Sequence, residues 1–228
     1  MEESQTVKNG RIYLENKRTI MLGISPGNSF FYKVENLQKM FQFATENSDQ
    51  KILLFLTDKL SEHNYRAIRS RNPEKSARMN ANRLRNKCQE AMHSCGIQNE
   101  STEYIDWSRD IETSDSYINA LNYVKHLYEV NDQFQKDIQG CTQLALVSLK
   151  NGREENMSEN RRNTAIDLEE GVEYLLKEVA FLSVVSEIYE RCEEYVVVYH
   201  RSLPVIERYF DGKYDNVSRP CLGFYVLE

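Results

Sequence analysis

The sequence predicts an α/β protein with a Rossmann-like, mostly parallel sheet and helices on both faces. Two apolar runs, residues 19–24 and 51–58, flank a stretch with helical spacing of apolar residues. This order predicts a right-handed strand-helix-strand unit, and continuous apolar strands are typical of parallel sheets buried on both faces. At 228 residues, the chain is expected to form a single domain over residues 1–228.

The first half of the chain alternates strands and helices. A short strand is predicted at residues 11–14, in an otherwise polar N-terminal segment. The first core strand, residues 19–24, precedes a helix over residues 30–45 with apolar positions at helical spacing. The second strand, residues 51–58, precedes a basic helical region over residues 59–95. A third strand is predicted at residues 103–107.

The second half is mainly helical until its last two strands. Helices are predicted over residues 115–138 and 141–150, separated at Gly140, before a polar loop over residues 151–163. A long helix follows from about residue 159 to 193, since its apolar positions recur at helical spacing. An apolar strand at 194–199 and an edge strand at 221–227 complete the predicted sheet.

Composition excludes several classes of protein. No apolar run has the length of a membrane span, and the acidic, polar N-terminus is no signal peptide. Five scattered cysteines form no zinc-type spacing, so we expect reduced thiols in a cytoplasmic monomer, with neither a metal nor a cofactor. The net charge of −6 argues against general polyanion binding but allows a local basic patch.

The first core strand ends in a turn that could carry catalysis. The sequence there is Gly23-Ile24-Ser25-Pro26-Gly27-Asn28-Ser29. Ligands of open α/β sheets bind at the carboxyl ends of strands, where a serine hydroxyl is placed to act as a nucleophile. The alternative is that Ser25 only caps the next helix. The turn is neither a P-loop nor a spaced-glycine dinucleotide fingerprint.

A basic helix follows the second strand. Eight basic residues and a single acid, Glu74, lie between residues 66 and 87, and Asn72-Pro73 is typical of a helix start. A solvated face normally mixes charges, so the helix predicts a surface for RNA phosphates; a merely solvated face is the alternative. The candidate RNA-binding residues are Lys75, Arg78, Arg83, Arg85 and Lys87.

A carboxylate interrupts the apolar surface of the long helix. Tyr174, Glu178 and Phe181 share one side, which predicts that Glu178 is paired internally or binds a cationic group. No histidine is placed as a base for Ser25, because alternating strand residues face opposite ways and His200 follows Tyr199 directly. Ser25 could therefore react only with an activated acyl donor.

These features together resemble the cyclodipeptide synthases, which join two tRNA-borne aminoacyl groups into a diketopiperazine. Gly23-Ile24-Ser25 is similar to the family's Gly-aliphatic-Ser, whose serine is the nucleophile. Tyr174 to Val179 is similar to its Tyr-x-x-x-Glu-aliphatic motif, and Tyr199 to its second catalytic tyrosine. Asn28 resembles the asparagine that marks one branch. The resemblance covers about residues 19–201.

The resemblance implies a fold like the catalytic domain of class I tyrosyl-type aminoacyl-tRNA synthetases and two aminoacyl-tRNAs as substrates. It implies that Ser25 is acylated, that Tyr174 and Glu178 hold the α-ammonium, and that Tyr199 relays a proton. Backbone N–H groups of the 26–28 turn would face the oxyanion. The implied substrate-binding residues, which include an uncharged pocket for the first aminoacyl group, are Met21, Gly23, Asn28, Phe181, Val197 and His200.

Two other functions remain as alternatives. A non-catalytic tRNA-binding module would share the basic helix and would not need Ser25. A serine hydrolase of small esters would need Ser25 and no tRNA. The identity of the joined amino acids does not follow from the sequence, because it depends on side-chain packing.

Overall fold

The computed structural model describes residues 19–48, 51–154, 165–189, 195–217, 219 and 222–226, without the side chains of 152–154 and 222–226. The strand predicted at residues 11–14 lies outside these residues. So does most of the predicted loop over 151–163, together with both ends of the helix predicted over 159–193.

A five-stranded sheet forms the centre of the molecule. The strands are β1 (Thr19–Ile24), β2 (Ile52–Leu56), β3 (Thr102–Tyr104), β4 (Tyr195–Tyr199) and β5 (Leu222–Val226). Their order is β3-β2-β1-β4-β5, and all four pairings are parallel. Met21 of β1 lies between Leu53 and Val197 of its two neighbours. The predicted parallel sheet and its edge strand are therefore confirmed.

Helices cover both faces of the sheet, as predicted. The helices are α1 (Val34–Asn47), α2 (Glu62–Ala67), α3 (Pro73–Ser94), α4 (Asp115–Val130), α5 (Asp132–Glu154), α6 (Leu168–Ile188) and α7 (Pro204–Phe210). Helices α1 and α3 pack on one face, against Ile20 and Leu22. Helices α4 to α7 pack on the other, against Met21 and Val197. Side chains of successive strand residues thus enter two separate cores.

Element ends differ from the prediction where local capping decides them. Helix α1 begins only at Val34, because a short 3-10 turn at Ser29–Tyr32 comes first. The basic region divides into α2 and α3, and Asn72 caps α3 by accepting from the Lys75 N–H. Strand β3 ends at Tyr104, and Trp107–Ile111 forms a π-helical turn.

The predicted helix break at Gly140 is wrong. The chain breaks at Asn131, between α4 and α5, and Gly140 lies inside α5. The Asn131 N–H donates to the Leu127 carbonyl, and Asn131 Oδ1 accepts from the Phe134 N–H over 2.8 Å. One asparagine therefore ends one helix and starts the next, and this outweighs the small helix penalty of glycine.

Candidate active site

The Ser25 turn closes tightly at the carboxyl end of β1. The Asn28 N–H donates to the Ser25 carbonyl over 3.3 Å, and Gly27 has a φ of +94°. Proline then glycine with positive φ defines a type II turn. Pro26 has no N–H and the Asn28 N–H is already used, so the Gly27 N–H is the turn's remaining donor. This narrows the expected oxyanion site to one backbone group.

Ser25 and Tyr199 meet because their strands pair. Strand β4 lies beside β1, and the Ser25 Oγ is 2.8 Å from the Tyr199 Oη. The Tyr199 ring lies over Gly23, where a Cβ atom would be 3.1 Å from the ring. Glycine at position 23 therefore allows the ring to reach the serine.

Tyr174 and Glu178 lie one turn apart on α6 and face the same cleft. The Tyr174 Oη is 3.5 Å from Glu178 Oε1 and 3.4 Å from the Thr57 Oγ1. Its single proton therefore has two acceptors. Thr57 directly follows β2, so a third strand end contributes to the site. Thr57 was not among the predicted site residues, although a polar residue directly after an apolar strand is a signal for a site at the strand end.

Burial sets the protonation states of these groups. It raises the pKa of Glu178 to about 7, opposed by a hydrogen bond from Tyr174 and by the charge of Arg201. It also raises the pKa of Tyr199 to about 12 and that of Tyr174 well above its usual range. At neutral pH the two tyrosines are protonated, while Glu178 is close to half ionised. A cation bound beside Glu178 would favour its ionised form.

His200 pairs with Asn28 and not with Ser25. The Asn28 Nδ2 donates to the His200 Nε2 over 2.9 Å, and the Asn28 Oδ1 accepts from the Phe30 N–H. Burial lowers the pKa of His200 to about 4, so the ring is neutral and Nε2 is its acceptor. His200 therefore holds the turn against the end of β4.

The cleft beside Ser25 opens to solvent. Its floor is the Ser25 turn, with Tyr199 beside it. Helix α5 supplies a wall that the sequence analysis did not predict, formed by Cys141, Thr142, Ala145, Ser148 and Leu149. Among the described lining residues, Glu178 and Arg201 are the charged ones. The cleft thus combines the Ser25 hydroxyl, two tyrosine hydroxyls, a carboxylate and one cation.

Three of the residues expected to form the first aminoacyl pocket belong to the hydrophobic core on the α4–α7 face of the sheet. Met21, Phe181 and Val197 are 0%, 0% and 4% exposed, and none of them lines the cleft. The Phe181 ring packs on Phe55, with centroids 4.7 Å apart. Their contact with a substrate stays a prediction.

The basic face of α3 is only partly free. Lys75, Arg78 and Arg83 are exposed, and the Arg83 guanidinium lies over the Tyr32 ring at 4.7 Å. Arg85 is 3.8 Å from an Asp58 carboxylate oxygen, and the Lys87 Nζ is 2.7 Å from Glu90. The charge sum along the sequence therefore overstates the unpaired positive charge. Its role in tRNA binding stays a prediction.

Two structural features are absent from the described part of the chain. No helix there is long and apolar enough to cross a membrane. No group of three or more His, Cys, Asp or Glu side chains in the same residues is arranged to hold a metal ion.

Comparisons with known proteins concern the family and the fold. The family model for cyclodipeptide synthase matches residues 3–228. No curated protein matches the chain significantly. Among solved structures, a cyclodipeptide synthase from Bacillus thermoamylovorans has a TM-score of 0.74 at 21% identity, over 94% of this chain and 90% of the other.

Two other solved structures bear on the fold. A Mycobacterium tuberculosis protein is 15% identical, with a TM-score of 0.67 over 93% of this chain and 85% of its own. That structure is described as demonstrating that cyclodipeptide synthetases are related to type I tRNA synthetases. A cyclodipeptide synthase from Candidatus Glomeribacter gigasporarum, bound to Phe-tRNAPhe, is 20% identical, with a TM-score of 0.54 over 94% and 89% of the two chains.

Proposed function

The chain belongs to the cyclodipeptide synthase family, and we propose that it forms its product through covalent intermediates on Ser25, using two aminoacyl-tRNAs in turn. The main observation that supports this proposal is the 2.8 Å contact between the Ser25 Oγ and the Tyr199 Oη. It lies in a cleft that Tyr174 and Glu178 also line. A nucleophile, a proton-transfer group and a cation-binding carboxylate therefore face one space.

In the first step, the Ser25 Oγ attacks the ester carbonyl of the first aminoacyl-tRNA. The bond from carbonyl carbon to ribose oxygen breaks, and the serine proton passes to the leaving ribose oxygen. The Gly27 N–H is the nearest turn donor for the oxyanion. The ester is already activated, so this step requires neither ATP nor a metal. The result is aminoacyl-Ser25 and free tRNA.

Glu178 and Tyr174 position the aminoacyl group. An α-ammonium between the Glu178 carboxylate and the Tyr174 Oη would gain a charge-assisted hydrogen bond in a partly buried site. This pairing accounts for a carboxylate on an otherwise apolar helix face. In the structure Glu178 accepts a hydrogen bond from Tyr174 and forms no ion pair with any described residue, so its charge is available to a cationic ligand.

In the second step, the amine of aminoacyl-Ser25, after losing a proton, attacks the ester of a second aminoacyl-tRNA. Dipeptidyl-Ser25 and a second free tRNA result. The new α-amine then attacks the carbonyl held by Ser25, the ring closes, and the Ser25 Oγ leaves. Tyr199, within hydrogen-bond distance and protonated at neutral pH, returns a proton to that oxygen and takes one from the amine.

The remaining assignments follow from the same proposal. Asn28 and His200 hold the Ser25 turn, while Lys75, Arg78 and Arg83, with Arg85 and Lys87, bind tRNA phosphates. We place a monomeric enzyme in the cytoplasm, where its aminoacyl-tRNA substrates occur. Free Cys88, Cys95 and Cys141 fit a reducing compartment.

Acylation of Ser25 provides the test. Incubation with charged tRNA should add one aminoacyl mass to the intact protein, and Ser25→Ala should abolish both the adduct and diketopiperazine formation. Ser29→Ala, in the same loop, is the matched control and should retain both. A Ser25→Ala variant that kept full function would favour the tRNA-binding module. Turnover of a generic ester without tRNA, dependent on Ser25, would favour the hydrolase.

A further inference from the structure

Arg201 occupies the rim of the cleft, two residues beyond Tyr199. The chain bends at His200 and Arg201, directly after β4. Tyr199 and Arg201 both line the cleft, while His200 between them pairs with Asn28. Its side chain is exposed. It is the one cation among the described residues that line the cleft.

Arg201 forms no ion pair with any residue that the structure describes. Other arginines at this end of the chain do: Arg208 Nη1 lies 2.8 Å from Asp137, and Arg219 pairs with Asp215. The charge of Arg201 nevertheless acts on the cleft. Burial raises the pKa values of Glu178 and Tyr199, and the positive charge of Arg201 partly opposes that rise. A guanidinium held near reacting groups without a carboxylate partner is available to a ligand.

From the interior of the cleft to its rim, the charges of the protein are opposite to those met along the proposed substrate. Inside the cleft, Glu178 faces the position of the α-ammonium; at the rim stands Arg201. In an aminoacyl-tRNA the ammonium lies on one side of the ester, and the phosphodiester of the terminal nucleotide lies one ribose away on the other. The tRNA body is too large to enter the cleft, so that phosphodiester remains at the rim.

We propose that Arg201 binds the last phosphodiester of the aminoacyl-tRNA and thereby positions the ester over Ser25. This inference rests on the proposed function. A planar guanidinium suits a phosphate, because it can donate two parallel hydrogen bonds. An acidic substrate side chain is the less suitable ligand, since it would need a cation inside the cleft and Arg201 is exposed.

This contact is separate from the basic face of α3. Helix α3 packs on the opposite face of the sheet from α5 and α6, so its cations meet other phosphates of the tRNA. Arg201 is a positioning residue, because it would place the ester. Ser25 and Tyr199 would carry out the bond-breaking and proton-transfer steps.

A substrate with one altered linkage tests the contact. Two aminoacylated minihelices are compared: one has the native last phosphodiester, and the other an uncharged methylphosphonate there. Ser25 acylation is followed by intact mass at pH 8, where Glu178 is largely ionised. The wild type should lose about tenfold in kcat/KM, mainly through KM, with the neutral linkage. Arg201→Gln should show that loss with the native linkage and be insensitive to the replacement.

Control variants separate this role from others. Arg201→Lys should regain part of the preference for the charged linkage, and Arg208→Gln, an exposed arginine outside the cleft, should keep all of it. The proposal is overturned if Arg201→Gln keeps the wild-type preference, or if it affects only aspartyl and glutamyl substrates. An equal loss in Arg201→Gln with both linkages, beyond the wild-type loss, also overturns it. A wild type that is never acylated would refute the proposed function instead.

Discussion

The Asn28 amide joins the ends of the two neighbouring strands that carry Ser25 and Tyr199. Its Nδ2 donates to the His200 Nε2 over 2.9 Å, while its Oδ1 accepts from the Phe30 N–H over 3.0 Å. Both polar ends of one side chain are therefore used, one toward β4 and one toward its own loop. This one amide therefore links the Ser25 turn to the residue that follows Tyr199.

Asn28→Ala should slow Ser25 acylation more than it weakens folding. Loss of the two hydrogen bonds should lower the free energy of unfolding by roughly 1–3 kcal/mol, while the loosened turn should reduce kcat by at least about tenfold. Acylation kinetics and chemical denaturation measure the two effects, with Ser29→Ala as control. An unchanged kcat would show that the Asn28–His200 contact does not position the serine.

Glu178 should make stability and activity respond to pH in opposite directions. Burial raises its pKa from 4.5 to about 7, so between those values the folded state binds more protons than the unfolded state. The free energy of unfolding should therefore fall as pH rises through that window. Glu178→Gln should remove this effect and be more stable than the wild type at pH 8, by up to roughly 3 kcal/mol. The advantage should vanish near pH 4.

Activity should follow the ionised form of Glu178. Acylation by the wild type should rise as pH increases through about 7, because only the carboxylate attracts the α-ammonium. Glu178→Gln should be slow and lack this rise. The pH profile of kcat/KM is the measurement; an unaltered profile in Glu178→Gln would remove Glu178 from substrate binding.

Within the basic face of α3, the arginines that form no described ion pair should contribute most to tRNA binding. Arg83→Gln combined with Arg78→Gln should weaken tRNA binding and reduce the salt slope of log K by up to about 0.9 for each phosphate that is no longer neutralised. Lys87→Gln should change the slope less, because Lys87 already pairs with Glu90. Binding measured from low to high salt tests this. Equal slopes in all variants would mean that the face is only solvated.

The first aminoacyl group should be uncharged. Met21, Phe181 and Val197 offer no charged partner for a buried charge, and an apolar pocket separates neighbours that differ by a methylene by only ~1–3 kcal/mol. The wild type should therefore release a family of related diketopiperazines. Phe181→Leu, which keeps the core apolar, should shift that family toward bulkier apolar residues. Mass spectrometry of culture medium decides; products rich in Lys, Arg, Asp or Glu would contradict the assigned pocket.

Local signals explain how much of the fold could be predicted. The apolar runs at β1, β2 and β4, the Asn72-Pro73 helix start and the glycine-proline turn need no tertiary information. Helix α7 was missed although Pro204 stands at its first position, because seven residues are too few for a periodic pattern. The break at Asn131 depends on contacts outside its own helices, including its Nδ2 donating to the Tyr214 carbonyl.

The site was predictable where motifs mark strand ends and one helix face. Ser25, Tyr174, Glu178 and Tyr199 do share a cleft. The α5 wall was not predictable, because it depends on how closely α5 approaches α6. At Gly171 a Cβ atom would lie 2.6 Å from Leu146 and 2.7 Å from Thr142, and no pattern within α5 alone reveals that proximity. The presence of the Arg201 cation in the same cleft as Glu178 also could not be predicted, because only the folded structure brings the two residues to one site.

The pairing of β1 with β4 also has a consequence during synthesis. Ser25 and Tyr199 are separated by 174 positions in the chain, so Ser25 leaves the ribosome long before Tyr199 is synthesised. Such a distant pairing forms late in folding. A growing chain surrounded by aminoacyl-tRNA therefore carries an unassisted serine. If Ser25 is acylated as we propose, self-acylation should begin only after β4, in the last third of the chain, has joined the sheet.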